Sequence, residues 1–180
     1  HGAEGFVKGI VWRGVVNSAQ SPQMQAAQNI GQVFMGVNLK CASCHDSFIS
    51  QWKLTDSYGL ASVYSDKPME LERCTKPLGQ IATPKFLYPE LGKIDPKAPK
   101  EVRIQQLAAA ITNKADGRLT RTIVNRLWQR LMGRALVEPV DEMDLPPWDQ
   151  DLLDALAWKL SNDDHYDLKK TMETILLSRA

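Results

Sequence analysis

The hydrophobic pattern along the chain is helical over most of its length. Ser21-Pro22 opens the first clear element, with serine as N-cap and proline at the first helical position. Ala26, Ala27, Ile30, Val33, Phe34 and Val37 then recur at helical spacing. Thr55-Asp56 is the expected cap of a second helix through Tyr58, Leu60, Ala61 and Tyr64. Val102, Leu107, Ala108 and Ile111 predict a third, and residues 113–117 a turn. The strongest pattern runs from Leu119 to Met132, with Ile123, Val124, Leu127, Trp128 and Leu131 on one face and Gly133 as the stop. Two more helices close the chain, one on Leu152, Leu153, Leu156 and Leu160, the other on Leu168, Met172, Ile175 and Leu176.

Two stretches break the pattern. Residues 1–20 carry glycine, valine and small polar residues and read as extended or irregular. Residues 66–100 hold six of the ten prolines, and no regular element fits them. Such a loop in a compact domain is usually functional. No alternation longer than four residues, internal repeat or low-complexity tract is visible. The expected fold is therefore all-α. Residues 1–100 form a small helical region with a long Pro-rich loop, and residues 101–180 form a C-terminal helical bundle sharing the same core.

Composition narrows the class. Hydrophobic residues make up 43% and charged residues 24%, as in a soluble globular protein. Lys plus Arg number 22 and Asp plus Glu 21, so charge gives no case for nucleic acid. No apolar run approaches the length of a membrane span. The first residue is His1, and Ser178-Arg179-Ala180 ends in a helical pattern without a cap. The expectation is a processed product or a piece of a longer precursor.

The chemistry lies in Cys41-Ala42-Ser43-Cys44-His45, the attachment pattern for c-type haem. Each thiol forms a thioether with one haem vinyl group. Two intervening residues put both sulfurs on one side of a turn, and the next residue aims its imidazole at the iron. A thioredoxin-like pair needs a βαβ setting, which is missing. A zinc site needs a second ligand pair, also missing. A chance coincidence in a helical core is the remaining bland reading. The expected cofactor is one covalent haem c on Cys41 and Cys44, with His45 as proximal iron ligand.

The distal ligand is less determined. Met69 opens the Pro-rich loop, where small cytochromes c usually place a methionine ligand, against the bland reading of loop packing. Met24 and Met35 read as core, His165 as a solvated surface residue, and His1 as a ligand only from a folded-back or neighbouring end. Tyr58, Tyr64, Lys53 and water stay open. Arg126 and Arg130 are candidates for the propionates, with ordinary surface pairing slightly favoured. Trp52 and Trp128 read as core, and Cys74 as a buried thiol. The apolar loop residues Leu71, Ile81, Phe86, Leu87, Tyr88 and Leu91 are expected to pack on or beside the haem.

Residues 36–46, with Trp52 and Asp56-Ser57-Tyr58-Gly59-Leu60-Ala61, resemble the haem segment of a planctomycete cytochrome-associated family of unknown function. Residues 121–128, 133–141, 167–169 and 178–180 resemble its usual C-terminal companion domain. The resemblance implies haem and export within a longer protein. Many relatives have a second histidine two places after the haem histidine, where this chain has Ser47, and glycine where it has Ala135. Haem attachment outside the cytoplasm gives a periplasmic or extracellular expectation. Three functions are open: electron transfer with an unknown redox partner, a peroxidase- or oxidase-like enzyme with an open distal site, or a haem-stapled structural module assembling with neighbouring chains.

Overall fold

The computed structural model describes Gly5 and residues 18–179. The N-terminal irregular stretch and His1 lie outside the described residues, apart from a 3-10 turn at Ser18–Gln20. Among the described residues the fold is mostly helical with one small two-stranded sheet. The helices are α1 (Pro22–Met35), α2 (Leu54–Ser62), α3 (Lys100–Ile111), α4 (Arg118–Met132), α5 (Gln150–Asn162) and α6 (Leu168–Leu176). The strands are β1 (Glu70–Arg73) and β2 (Lys76–Ile81). Among the described residues no helix is long and apolar enough to cross a membrane.

The chain divides into two compact units, one with residues 18–30 and 39–110 and the other with 31–38 and 111–179. The end of α1 thus counts with the second unit.

In the first unit, α2 begins one residue before its expected cap. Asp56 is the third helical residue and accepts the Lys53 N–H at 2.8 Å. Asp46, just past the Cys-X-X-Cys-His segment, accepts the Leu54 N–H at 2.9 Å. The helix start is therefore tied to that segment. Gly59 makes room for the chain crossing it: a Cβ there would stand 2.5 Å from the Lys85 Cγ. Lys85 donates its backbone N–H to the Gly59 carbonyl and pairs through Nζ with Asp56 at 2.7 Å.

The Pro-rich segment is not structureless. Residues 70–81 form an antiparallel hairpin, pairing Glu70 with Ile81, Glu72 with Pro77 and Arg73 with Lys76. Its signal is weak because only Leu71 of β1 is buried and all of β2 is exposed, so no apolar alternation marks it. Its Cys74-Thr75 turn lacks the Asn-Gly type of signal. Leu71, Phe86, Leu87 and Tyr88 are buried, whereas Ile81 is exposed.

The second unit has a core of Val124, Trp128, Leu136, Val137, Leu153, Leu156, Leu160 and Ile175. Ile123, Leu127 and Leu131 pack against it, so the apolar face of α4 is as the spacing predicts. The closing helix α6 departs from expectation. Leu168 and Leu176 are exposed, and Thr171 is buried beside Ile175 in their place. The end of α1 is closed by side chains of α4. Arg126 donates to the carbonyls of Gln32 and Val33 and is held by Asp141, and Arg118 Nε donates to the Met35 carbonyl at 2.8 Å. These guanidinium groups satisfy carbonyls that a helix end leaves bare. Gly36 comes next at φ +59°, where a Cβ would meet the Met143 side chain at 2.3 Å.

Asp164 is a buried carboxylate in the turn between α5 and α6. Lys159 and Thr171 both hydrogen-bond it and, with Lys159 foremost, hold its pKa below the usual carboxylate range. A depressed folded-state pKa contributes stability that is present above the unfolded value of about 3.9 and is lost as pH falls toward the folded one. We expect the thermal midpoint to fall steeply below about pH 4, and Asp164→Asn to flatten that limb while lowering the midpoint at neutral pH. A wild-type acid limb unchanged in the variant removes Asp164 from the account.

Candidate functional site

The Cys-X-X-Cys-His segment is a tight 3-10 turn, Cys41–Ser43, at the entrance to α2. The N–H groups of Cys44 and His45 both reach the Cys41 carbonyl, at 3.1 and 3.2 Å, so the turn folds back on its first cysteine. The two residues between the cysteines anchor it. Ala42 and Ser43 are fully buried. The Ser43 hydroxyl donates to the Leu39 carbonyl at 2.8 Å and accepts from Gln28 Nε2 on α1 at 2.9 Å. Gln28 also donates to the Ala19 carbonyl. With the middle of the turn held inward, Cys41 and Cys44 are left partly exposed as free thiols.

His45 Nδ1 lies 2.7 Å from the Asp46 carbonyl. A carbonyl only accepts, so Nδ1 carries a proton, which in the neutral ring leaves the lone pair on Nε2. That is the tautomer and orientation of an imidazole ready to ligate a metal through Nε2. The Phe48 ring lies beside it, centroids 4.8 Å apart.

Ser47 shapes the loop between the histidine and α2. Its N–H donates to the Trp52 carbonyl at 2.9 Å, and its hydroxyl accepts from the N–H groups of Ile49 and Ser50 and from the Ser50 hydroxyl. This clamp closes the loop and holds Phe48 and Ile49 outward, 88% and 78% exposed. Two large apolar side chains thus stand in water on the loop that follows His45. Trp52 closes the loop from beneath. It is buried, edge-on to Tyr88 at 5.3 Å, and its Nε1 has no partner.

Burial acts on one thiol and two phenols of this unit. Burial, then the neighbouring Cys74 and Cys41, push the Cys44 thiol above its usual value. Burial raises the Tyr58 phenol and pushes Tyr64 up to about 12. Neither phenol therefore supplies a phenolate ligand near neutral pH.

The structure brings together Cys41, Cys44 and His45, and adds Cys74. Cys74 is exposed at the hairpin tip rather than buried as expected. Its N–H donates to the Cys44 carbonyl at 3.1 Å. Met69 is placed elsewhere. It lies beyond the opposite end of β1, about 16 Å of extended chain from Cys74 at ~3.3 Å per residue. There it lines a cleft of about 230 Å³ with Ser62, Pro68, Ala82 and Arg103. His165 is exposed, and Met24 and Met35 are fully buried. Arg126 is committed to Asp141 and the end of α1, so it serves the fold. Trp128 is core of the second unit. Among the described residues no group of three or more His, Cys, Asp or Glu side chains is placed to hold a bare metal ion. Sequence reasoning misses the Ser47 clamp and the approach of Cys74. A serine after the histidine is legible only as a missing ligand, and the hairpin that delivers Cys74 gives no pattern.

Two family models match the chain. Residues 1–68 match PSCyt2 and residues 103–180 match PSD1, each described as a protein of unknown function, DUF1549 and DUF1553 respectively. The chain is thus similar to a family of unknown function with cytochrome-associated domains. No curated protein and no solved structure matches it. Residues 69–102, which include the hairpin, Met69 and Cys74, lie between the two matched regions.

Proposed function

We propose that the chain is a c-type cytochrome module that carries electrons, with one haem attached through Cys41 and Cys44 and ligated by His45 Nε2. The observation that carries this reading is the His45 ring, its Nδ1 proton committed to the Asp46 carbonyl, beside two free thiols on one buried-cored turn. The exposed Phe48 and Ile49 fit the same group, since a porphyrin edge would cover them. Haem iron supplies one-electron chemistry between its ferric and ferrous states. This chain's residues do the rest. Ser43 and Gln28 fix the turn, Asp46 fixes the imidazole, and Phe48 and Ile49 shield the proximal edge from water. The name of the matching N-terminal family points the same way. Export to the periplasm or cell exterior, and a redox partner there, belong to this proposal.

Intact-mass measurement and a pyridine haemochrome spectrum after acid acetone test it on chain made with the haem-attachment machinery present. We expect the mass to rise by one haem that stays with the polypeptide. A bare polypeptide mass overturns the reading. Cyanide and carbon monoxide separate electron transfer from a haem enzyme. Slow, weak binding supports the carrier, and fast stoichiometric binding supports the enzyme.

Met69 is the thioether the sequence offers to the sixth position, yet its cleft contains neither His45 nor the thiols. In the haem-loaded chain we expect Met69→Ala to leave the ferric spectrum and the potential unchanged. A lowered potential and newly rapid carbon monoxide binding would make Met69 the ligand after all.

A further inference from the structure

Cys74 occupies an unusual place. It is the first residue of a two-residue hairpin turn and sits at φ +60°, a conformation that L side chains rarely adopt and that Gly or Asn normally fills. Both sides of its peptide are tied to the site. Its N–H donates to the Cys44 carbonyl at 3.1 Å, and its carbonyl accepts from the Ser18 hydroxyl at 2.7 Å. This direct backbone hydrogen bond brings the Cys44 and Cys74 main chains side by side. Disulfides span Cα separations of about 4.4–6.8 Å. Cys44 and Cys74 are both free thiols in the structure, and Cys74 is exposed to any oxidant that approaches.

We propose that Cys44 and Cys74 form a disulfide in the haem-free chain, making Cys74 a redox guard on the second attachment thiol. The pairing stands on the hairpin geometry, and only its consequence rests on the haem reading above. The oxidant is a small-molecule or protein disulfide. The exposed Cys74 thiolate attacks one of its sulfurs and releases one oxidant thiolate. The Cys44 thiolate then attacks the Cys74 sulfur and releases the second. Two electrons and two protons leave the chain for the oxidant and solvent, and one S–S bond is exchanged for another. While it lasts, Cys44 cannot form a thioether. Reduction frees Cys44 for attachment and leaves Cys74 as the one unmodified thiol of the haem-loaded chain.

The test uses the full chain made without haem attachment, oxidised with glutathione disulfide, alkylated, and mapped by mass spectrometry without reduction. We expect a cross-link joining the Cys44 and Cys74 peptides, with the alkyl label on Cys41. The same cross-link is expected in Cys41→Ser and should be lost in Cys44→Ser. A Cys41–Cys44 disulfide with Cys74 labelled, or three labelled thiols, overturns the proposal. The haem reading fails separately, through a negative haemochrome on chain made with the attachment machinery, and that result leaves the cross-link in place. If haem is attached, Cys74 alone should take the label.

Discussion

Cys41→Ser together with Cys44→Ser is expected to abolish covalent haem. A serine hydroxyl does not form the thioether, so the double variant retains only the His45 Nε2 contact. A single imidazole bond does not survive acid acetone, and the haem should leave with the solvent. The turn itself should persist. It is held by backbone bonds to the Cys41 carbonyl and by Ser43 and Gln28, none of which uses a sulfur. Each single variant keeps one thioether and should still carry haem, in lower yield. His45→Ala should keep both thioethers but change the ferric spectrum, because the iron loses its proximal nitrogen. The readouts are intact mass, the haemochrome spectrum and far-UV circular dichroism as a control for folding. Haem resistant to acid acetone in the double variant would place the attachment elsewhere.

Legibility of this chain depends on whether a feature leaves a periodic trace. Helices do. The apolar face of α4 and the Leu153, Leu156 and Leu160 stripe of α5 are readable because burial repeats with the helical period. The Cys-X-X-Cys-His turn is readable as a motif because residue types and spacing stand in the sequence itself. The hairpin is not, since a strand pair with one buried side chain in ten positions has no alternation to read. The same holds for the residue at its tip. Cys74 reads as a buried thiol because free cysteines usually are, and only the fold shows it against Cys44. Met69 reads as a ligand by its place in the loop after the Cys-X-X-Cys-His segment, which says nothing about which end of a strand lies near His45. Arg126 reads as a surface charge, and its partners lie some 90 residues earlier in the carbonyls of α1. Buried polar residues are the hardest. Thr122 and Asn125 are fully buried on the side of α4 away from its apolar stripe, where spacing predicts exposure.

Asn125 is the position where one such polar residue should matter most for stability. Its amide faces the turn after α4. Nδ2 donates to the carbonyls of Val137, at 2.9 Å, and Val140, at 3.1 Å, while Oδ1 accepts the Val137 N–H at 2.8 Å. One side chain thus satisfies three backbone groups of a segment that contributes Leu136 and Val137 to the core. Asn125→Ala removes all three bonds and leaves a cavity too enclosed to hydrate the Val137 groups freely. An unsatisfied buried group costs about 1–3 kcal/mol, so a loss of roughly 3 kcal/mol is expected. For a chain of this size that lowers the thermal midpoint on the order of 10 °C. Asn125→Asp should be at least as damaging, because it keeps the acceptor, loses both donors and buries a charge. Arg130→Ala, on the exposed side of the same helix, should stay within about 0.5 kcal/mol and serves as the control. Chemical denaturation of the three variants decides it. If Asn125→Ala costs no more than Arg130→Ala, the amide is not what holds the turn, and the apolar contacts of Leu136 and Val137 carry that segment alone.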